Sequence, residues 1–295
     1  MGQHSQKTND TNRKLIIYRI LCIILAVVLV TVLFLWARST LIQRNAQNLY
    51  DELAEQVNQA NDNHTSGESG LSPDTEDSEE DTQKTDVTDD GNVSIPVKNI
   101  DWEELRQVNK DVYAWIYIPN TNIDYPILQH PFNDNYYLNY NLDGSKGRPG
   151  CIFTQSMNSK NFTDCNTVIY GHNMQNGEMF RTLHNYEDEG FFDDNPYIYI
   201  YTENGTLVYE VFAAYTSDDS HILQTNDFST KEGYGQYLDK VFSVQDDGAH
   251  FRDDVEVGTD NPIVTLSTCV GTLSHSRYLV QAVLINDIYE MQENE

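Results

Sequence analysis

Positive charge is what this chain has least of. Lysine and arginine together number 18 against 46 aspartates and glutamates, a formal charge of -28. A phosphate backbone would repel such a surface, which sets nucleic acid aside as a partner. Much of the excess lies in residues 62–90. The rest is spread over Asp188, Asp193, Asp194, Asp246, Asp247, Asp253 and Asp254, as on a solvated acidic face. Cysteine is scarce too, at four. Cys22 falls within an apolar run, leaving Cys151, Cys165 and Cys269, an odd number that in an oxidising compartment requires a free thiol or a bond between chains. Cys151 and Cys165 are close enough in sequence to pair, or stay as two buried thiols; either way Cys269 is left free. A glycine-rich phosphate loop, zinc-ligand spacing, a nucleophile-elbow pattern and internal repeats are all missing. No metal and no cofactor is therefore expected.

One long hydrophobic run is present. Residues 20–36 are apolar apart from Thr31, and residues 15–18 extend the run past Arg19, which can snorkel to the lipid headgroups. This reads as one transmembrane helix at residues 15–36. Lys7, Arg13, Lys14 and Arg19 precede it while Arg38 and Arg44 follow, which favours a cytoplasmic tail at residues 1–14 and the bulk of the chain outside the cell membrane. A cleaved signal peptide competes, but the run is long for one and Trp36-Ala37-Arg38 is a poor small-residue cleavage site. Residues 37–61 carry Leu41, Ile42, Leu49, Leu53 and Val57 among good helix formers and read as a juxtamembrane helix acting as a stalk. Residues 62–94 have almost no large apolar side chain. They read as a flexible acidic linker that lets a tethered domain sweep the space near the membrane.

Order returns at Ile95, and residues 95–295 read as the folded domain. Asp101 and Glu104 have capping-box spacing ahead of a short helix with Trp102, Leu105 and Val108 on one face. Residues 112–118 and 123–128, dense in β-branched and aromatic side chains, form a hairpin across Pro119-Asn120-Thr121-Asn122. Residues 136–140, 151–154 and 166–170 are three further strand candidates. Helical turns at 179–183 and 186–192 lead to a hairpin over 197–201 and 207–215, around Glu203-Asn204-Gly205. Residues 217–260 form a long connection with helical spacing over 234–244, long enough to wall or cover a site. About eight short strands, with helices only in the connections, predict a mainly β fold built as a closed or nearly closed barrel.

The residues suited to chemistry sit where strands end. Ile263, Val264, Thr265 and Leu266 form a β-branched, apolar run that ends at Cys269, a rim position where a backbone fixed by the sheet offers a thiol to substrate. His172 has the same placement after Thr167, Val168, Ile169, Tyr170 and a glycine; His275, nearer in sequence to Cys269, is the rival base. Arg277 stands just before the last strand, where its fork of donors can reach an oxyanion.

Thr265-Leu266-Ser267-Thr268-Cys269 resembles the Thr-Leu-x-Thr-Cys signature of the sortases, cysteine transpeptidases of Gram-positive surfaces. Asn109-Lys110-Asp111-Val112 with Trp115-Ile116, Ile123-Asp124-Tyr125-Pro126-Ile127, Asn133-Asp134-Asn135-Tyr136-Tyr137-Leu138 and Tyr170-Gly171-His172-Asn173-Met174 resemble class B in particular. Phe153-Thr154-Gln155 departs from the Phe-x-Asp of that class. The resemblance runs over residues 100–288. It implies an eight-stranded sortase-like barrel with His172, Cys269 and Arg277 catalytic, and Ser267, Thr268 and Asn173 near the substrate. It also implies cleavage after Thr of a C-terminal sorting signal close to Asn-Pro-x-Thr on secreted surface proteins. The acyl group would pass to an amine of a peptidoglycan precursor or a pilin lysine. A cysteine endopeptidase releasing product to water, and a non-enzymatic tethered adhesin, are the alternatives.

Overall fold

The computed structural model describes residues 3–59, 93–246, 248–271 and 275–286 and divides into two compact units, Met1–Asn45 and Ala46–Glu295. Helix α1 (Gln3–Gln59) supplies the first. Its large apolar side chains between residues 17 and 36 are all exposed, and this stretch is long and apolar enough to cross a membrane.

The second unit is built on one sheet that closes on itself. Its strands are β1 (Val112–Tyr117), β2 (Asp124–Leu128), β3 (Ile152–Thr154), β4 (Asn166–Tyr170), β5 (Tyr197–Thr202), β6 (Gly205–Asp218), β7 (His250–Phe251), β8 (Ile263–Cys269) and β9 (Ser276–Leu284). The order β5-β1-β2-β3-β4-β8-β9-β6 is closed by β5 pairing with β6, which makes the expected eight-stranded barrel, while the two-residue β7 adds to the outside of β6. Closure removes the open edges of the sheet. The interior is filled by fully buried side chains such as Ile116, Ile127, Ile169, Ile200, Val264, Leu266 and Val280. Helices stay in the connections, as expected. Helix α2 (Trp102–Val108) is capped by Asp101, whose carboxylate accepts from the Glu104 amide. Helix α3 (Glu189–Asp194) is a short turn after β4, α4 (Ile222–Thr225) follows β6, and α5 (Lys231–Phe242) packs Tyr234, Tyr237, Leu238 and Val241 on the outer face of β6, β8 and β9. Tyr237 also accepts from the wholly buried Gln281 at 2.6 Å.

Two expectations are corrected. Residues 136–138 form a 3-10 turn rather than a strand, because Tyr136 and Tyr140 stack face to face at 4.1 Å, a spacing that a helical turn gives and a strand does not. The stalk is the larger correction. Tyr50, Leu53 and Val57, at helical spacing on α1, are buried in the same core cluster as the barrel. The Tyr50 hydroxyl donates to the Gly150 carbonyl at 2.8 Å and its ring meets Tyr125 edge-on at 5.4 Å. The folded unit thus begins at Ala46, not at Ile95. The expected linker, residues 62–94, lies outside the described residues as far as residue 92. Val57, ahead of it, and Val93, at its end, both pack against the barrel, so the chain is joined to the barrel ahead of the acidic stretch as well as after it. Lys98 completes this junction. Its ammonium, almost wholly buried, donates to Asn58 Oδ1 at 2.7 Å and Asp124 Oδ2 at 2.8 Å, and Trp115 Nε1 donates to the other oxygen of Asp124 at 2.6 Å.

Leu53→Ala is expected to destabilise the barrel by about 2 to 5 kcal/mol, as a buried leucine does when truncated. Asp124→Ala should cost about 3 to 5 kcal/mol, because Lys98 and Trp115 lose their carboxylate. Urea unfolding followed by tryptophan fluorescence checks both; an unchanged midpoint for Leu53→Ala would restore the stalk.

Candidate active site

The site begins with two parallel strands in register. β4 runs beside β8 from Asn166↔Ile263 to Tyr170↔Ser267, and the buried run Val168, Ile169, Val264, Leu266 fixes that alignment, since a slip of one residue would turn every side chain to the other face. Beyond the last pair, the Gly171 amide donates to the Ser267 carbonyl at 3.2 Å and the Thr268 hydroxyl donates to the Gly171 carbonyl at 2.9 Å. Position 171 admits only glycine, because a Cβ there would lie 2.6 Å from Ile152 Cδ1 and 2.7 Å from the Phe180 ring. His172 and Cys269 therefore leave the barrel at the same level, each two residues past the Tyr170↔Ser267 pair.

Arg277 arrives from the other side. β8 and β9 are antiparallel, and Cys269 and Arg277 are direct partners in that ladder. Side chains of such a pair share a face, with Cβ atoms about 5 Å apart. The two strands stay together just past this pair, where the Val270 amide donates to the Ser276 carbonyl at 3.3 Å, and Arg277 Nη1 donates to the same carbonyl at 3.0 Å. His172, Cys269 and Arg277 line one cleft of about 220 Å³ together with Ser267 and Thr268. A groove of about 700 Å³ around Arg106, Lys160 and Glu203 is larger but lies at the opposite barrel end, where β4 begins. Chemistry rather than size picks the site.

His172 is largely buried, with Nε2 2.8 Å from the Leu138 carbonyl. Burial pulls its pKa below the ordinary histidine value, the Leu138 carbonyl opposes this, and the Arg148 charge adds to it. The ring is therefore neutral at neutral pH and able to accept a proton. Cys269 is half-buried, which leaves its thiol within reach of a molecule in the cleft. Cys151 and Cys165 are both free; Cys151 is buried, and burial pushes its thiol up to about 12, which makes it inert. His275, the rival base, is exposed, lies outside the cleft lining and has Nδ1 3.0 Å from Asp219 Oδ2.

The substrate-side expectations divide. Ser267 and Thr268 line the cleft, both nearly buried. Asn173 does not: its amide nitrogen donates to the Cys269 carbonyl at 2.7 Å and its oxygen accepts from Arg181. Sequence reasoning missed His221 and Ile222, which wall the cleft from the start of the long connection after β6. It also missed the partner of Gln155, whose Oε1 lies 2.7 Å from His221 Nε2. The departure from Phe-x-Asp was the available signal, because a neutral amide in place of a carboxylate changes what the facing residue has to be.

A family model described as the sortase domain matches residues 116–285. Sortase B of Listeria monocytogenes is 40% identical over 181 residues, covering 60% of this chain and 70% of that protein. Sortase B of Staphylococcus aureus is 32% identical over 188 residues, covering 62% and 74%. Among solved structures, that of Clostridium perfringens sortase B is similar with a TM-score of 0.57 and 33% identity, over 62% of this chain and 99% of that one. A Staphylococcus aureus sortase B–substrate complex is similar with a TM-score of 0.56 and 31% identity, over 63% and 84%.

The lowered His172 pKa predicts a pH dependence of stability with a definite sign. As pH falls, the unfolded chain takes up this proton before the folded one does. Stability is therefore unaffected by this residue above the ordinary histidine value of about 6.5 and is lost as pH drops through it toward the lowered value. His172→Gln should lack that loss, so urea midpoints of the two proteins should draw apart below about pH 6.5 in favour of the variant; parallel curves would contradict the burial of His172.

Proposed function

Because this chain belongs to the sortase family and is a cysteine transpeptidase of that type, we propose that it anchors in a membrane through residues 15–36 and works on the outer face of the cell. There it cleaves a C-terminal sorting signal close to Asn-Pro-x-Thr after the threonine. Cys269 is the nucleophile, His172 the acid and base, and Arg277 the oxyanion donor. The observation that supports this most is the strand register, in which Cys269 is the direct partner of Arg277 on one side and stands level with His172 on the other.

The proton balance follows from that arrangement. Neutral His172 takes the thiol proton as Cys269 Sγ adds to the threonine carbonyl. The negative charge that develops on the carbonyl oxygen meets the guanidinium of Arg277, whose forked donors favour it over the uncharged ground state. Collapse of the tetrahedral intermediate breaks the peptide bond, and His172 passes its proton to the leaving amine. The thioacyl enzyme is then attacked by a primary amine, which gives its proton to His172 while the thiolate leaves and regains it. Ser267 and Thr268 contact the signal peptide in this reading, which is supported by their lining the same cleft as His221 and Ile222. The acceptor is an amine of a peptidoglycan precursor or a pilin lysine, and the donors are secreted surface proteins bearing the signal. The apolar, exposed stretch of α1 supports the anchor.

Cys269→Ala is expected to abolish cleavage of a fluorescent Asn-Pro-x-Thr peptide with the unfolding midpoint unchanged. Arg277→Lys should lose about 100-fold in kcat with little change in KM, because a point charge does not reproduce the fork. His172→Ala should be inactive and His275→Ala near wild type. Added primary amine should appear in the product by mass spectrometry; its absence, with water as the sole acceptor, would make the protein an endopeptidase, and turnover by Cys269→Ala would refute the assignment.

A further inference from the structure

Outside the cleft lining, a second set of polar side chains meets the nucleophile from behind, and the acyl-transfer scheme uses none of them. The Cys269 carbonyl accepts from Asn173 Nδ2 at 2.7 Å and lies 3.1 Å from His184 Nε2. These two nitrogens are 3.0 Å apart. His184 Nδ1 lies 2.6 Å from Glu187 Oε1, and Arg181 Nη1 donates to Asn173 Oδ1 at 3.2 Å. The imidazole, nearly buried, is stacked on Tyr278 with ring centroids 5.0 Å apart, and Tyr278 pairs with Thr268 in the β8–β9 ladder.

The Asn173 amide nitrogen donates to the Cys269 carbonyl, and His184, held through Nδ1 by Glu187, packs its Nε2 against both. Arg181 on the amide oxygen excludes the flipped amide. Each group in the chain thus fixes the next.

The need for such a chain comes from the sheet. β8 outruns its parallel neighbour: the last bond between them is from the Gly171 amide to the Ser267 carbonyl. Two residues further on, a continuing ladder would set the backbone amide of residue 173 on the Cys269 carbonyl. The chain instead turns away, and Asn173 bridges to Met179. The carbonyl of the nucleophile loses its backbone donor on that side, and the Asn173 side chain replaces it. We propose that Asn173, His184 and Glu187 form a positioning unit that holds the Cys269 backbone, and through it the thiol, in line with His172 and Arg277.

This inference rests on Cys269 being the nucleophile, and its test keeps the two apart. The full chain in detergent is assayed with the sorting peptide as wild type, His184→Leu, His184→Gln, Glu187→Gln and Cys269→Ala, with the unfolding midpoint of each. A thiol displaced by about 1 Å loses up to roughly 100-fold in rate. His184→Leu is therefore expected to lose about 10- to 100-fold in kcat with KM within about twofold. His184→Gln, whose amide can still bond Asn173, should recover part of the loss, and Glu187→Gln should show a smaller loss of the same kind. The Glu187 side chain is half exposed, so that variant folds and carries the test if His184→Leu does not. Wild-type kcat in Glu187→Gln and in any folded His184→Leu overturns the positioning unit, as does a raised KM with kcat kept, which would mark a substrate contact. Activity retained in Cys269→Ala overturns the acyl-transfer reading instead.

Discussion

The parallel pairing of β4 with β8 is the constraint from which the site follows. It sets Tyr170 opposite Ser267, and the residues of the candidate site are counted from there: Gly171 tucked against Ile152 and Phe180, His172 and Cys269 emerging level, and Arg277 paired with Cys269 across the antiparallel β8–β9 ladder. Parallel strands need long crossovers. The segment between β4 and β8 fills that need with β5, β6, α4 and α5, and its residues His221 and Ile222 line the cleft. The connection demanded by topology thus also shapes the cleft.

The same pairing creates a weakness. Where β4 stops and β8 continues, Cys269 stands at a strand end held by the ladder on the β9 side alone, and loose ends fray. Side chains from the segment after His172 take over from the ladder there. At the opposite side of His172, the loop that carries Gly150 is fastened by Tyr50 of α1, and a Cβ at Gly150 would come within 3.2 Å of the His172 ring. Histidine and cysteine are both held by elements that sequence distance separates widely from them. Precision at the rim depends on these supports as much as on the barrel.

Most of the fold was legible because it obeys local rules. The β-branched runs of β1, β4 and β8, the Asn-Gly turn between β5 and β6, and the Asp101 cap each announce themselves within a few residues. His172, Cys269 and Arg277 were legible as strand-end residues and as a family signature, and one cleft holds all three. What stayed hidden depended on partners far away in the chain. Leu53 and Val57 on α1 have the spacing of a surface helix whatever their partner, and only their burial in the barrel's core cluster decides it. The Tyr136 to Leu138 turn looked like a strand because aromatic residues favour strands, until stacking of Tyr136 on Tyr140 favoured a helical turn. Asn173, beside a candidate histidine, looked like a substrate contact; the point at which a ladder ends cannot be read from one strand alone. His184 and Glu187 gave no signal, since a histidine and a glutamate three apart on a polar turn match any solvated surface.

The most direct measurement is the covalent intermediate itself. The full chain is incubated with an Asn-Pro-x-Thr peptide, quenched in acid, digested and mapped by mass spectrometry. The predicted result is a thioester joining the threonine carbonyl to Cys269, present without added amine and depleted when a primary amine is supplied. Peptide cleavage with no adduct, or an adduct on Cys151 or Cys165 instead, would contradict Cys269 as the centre of the site.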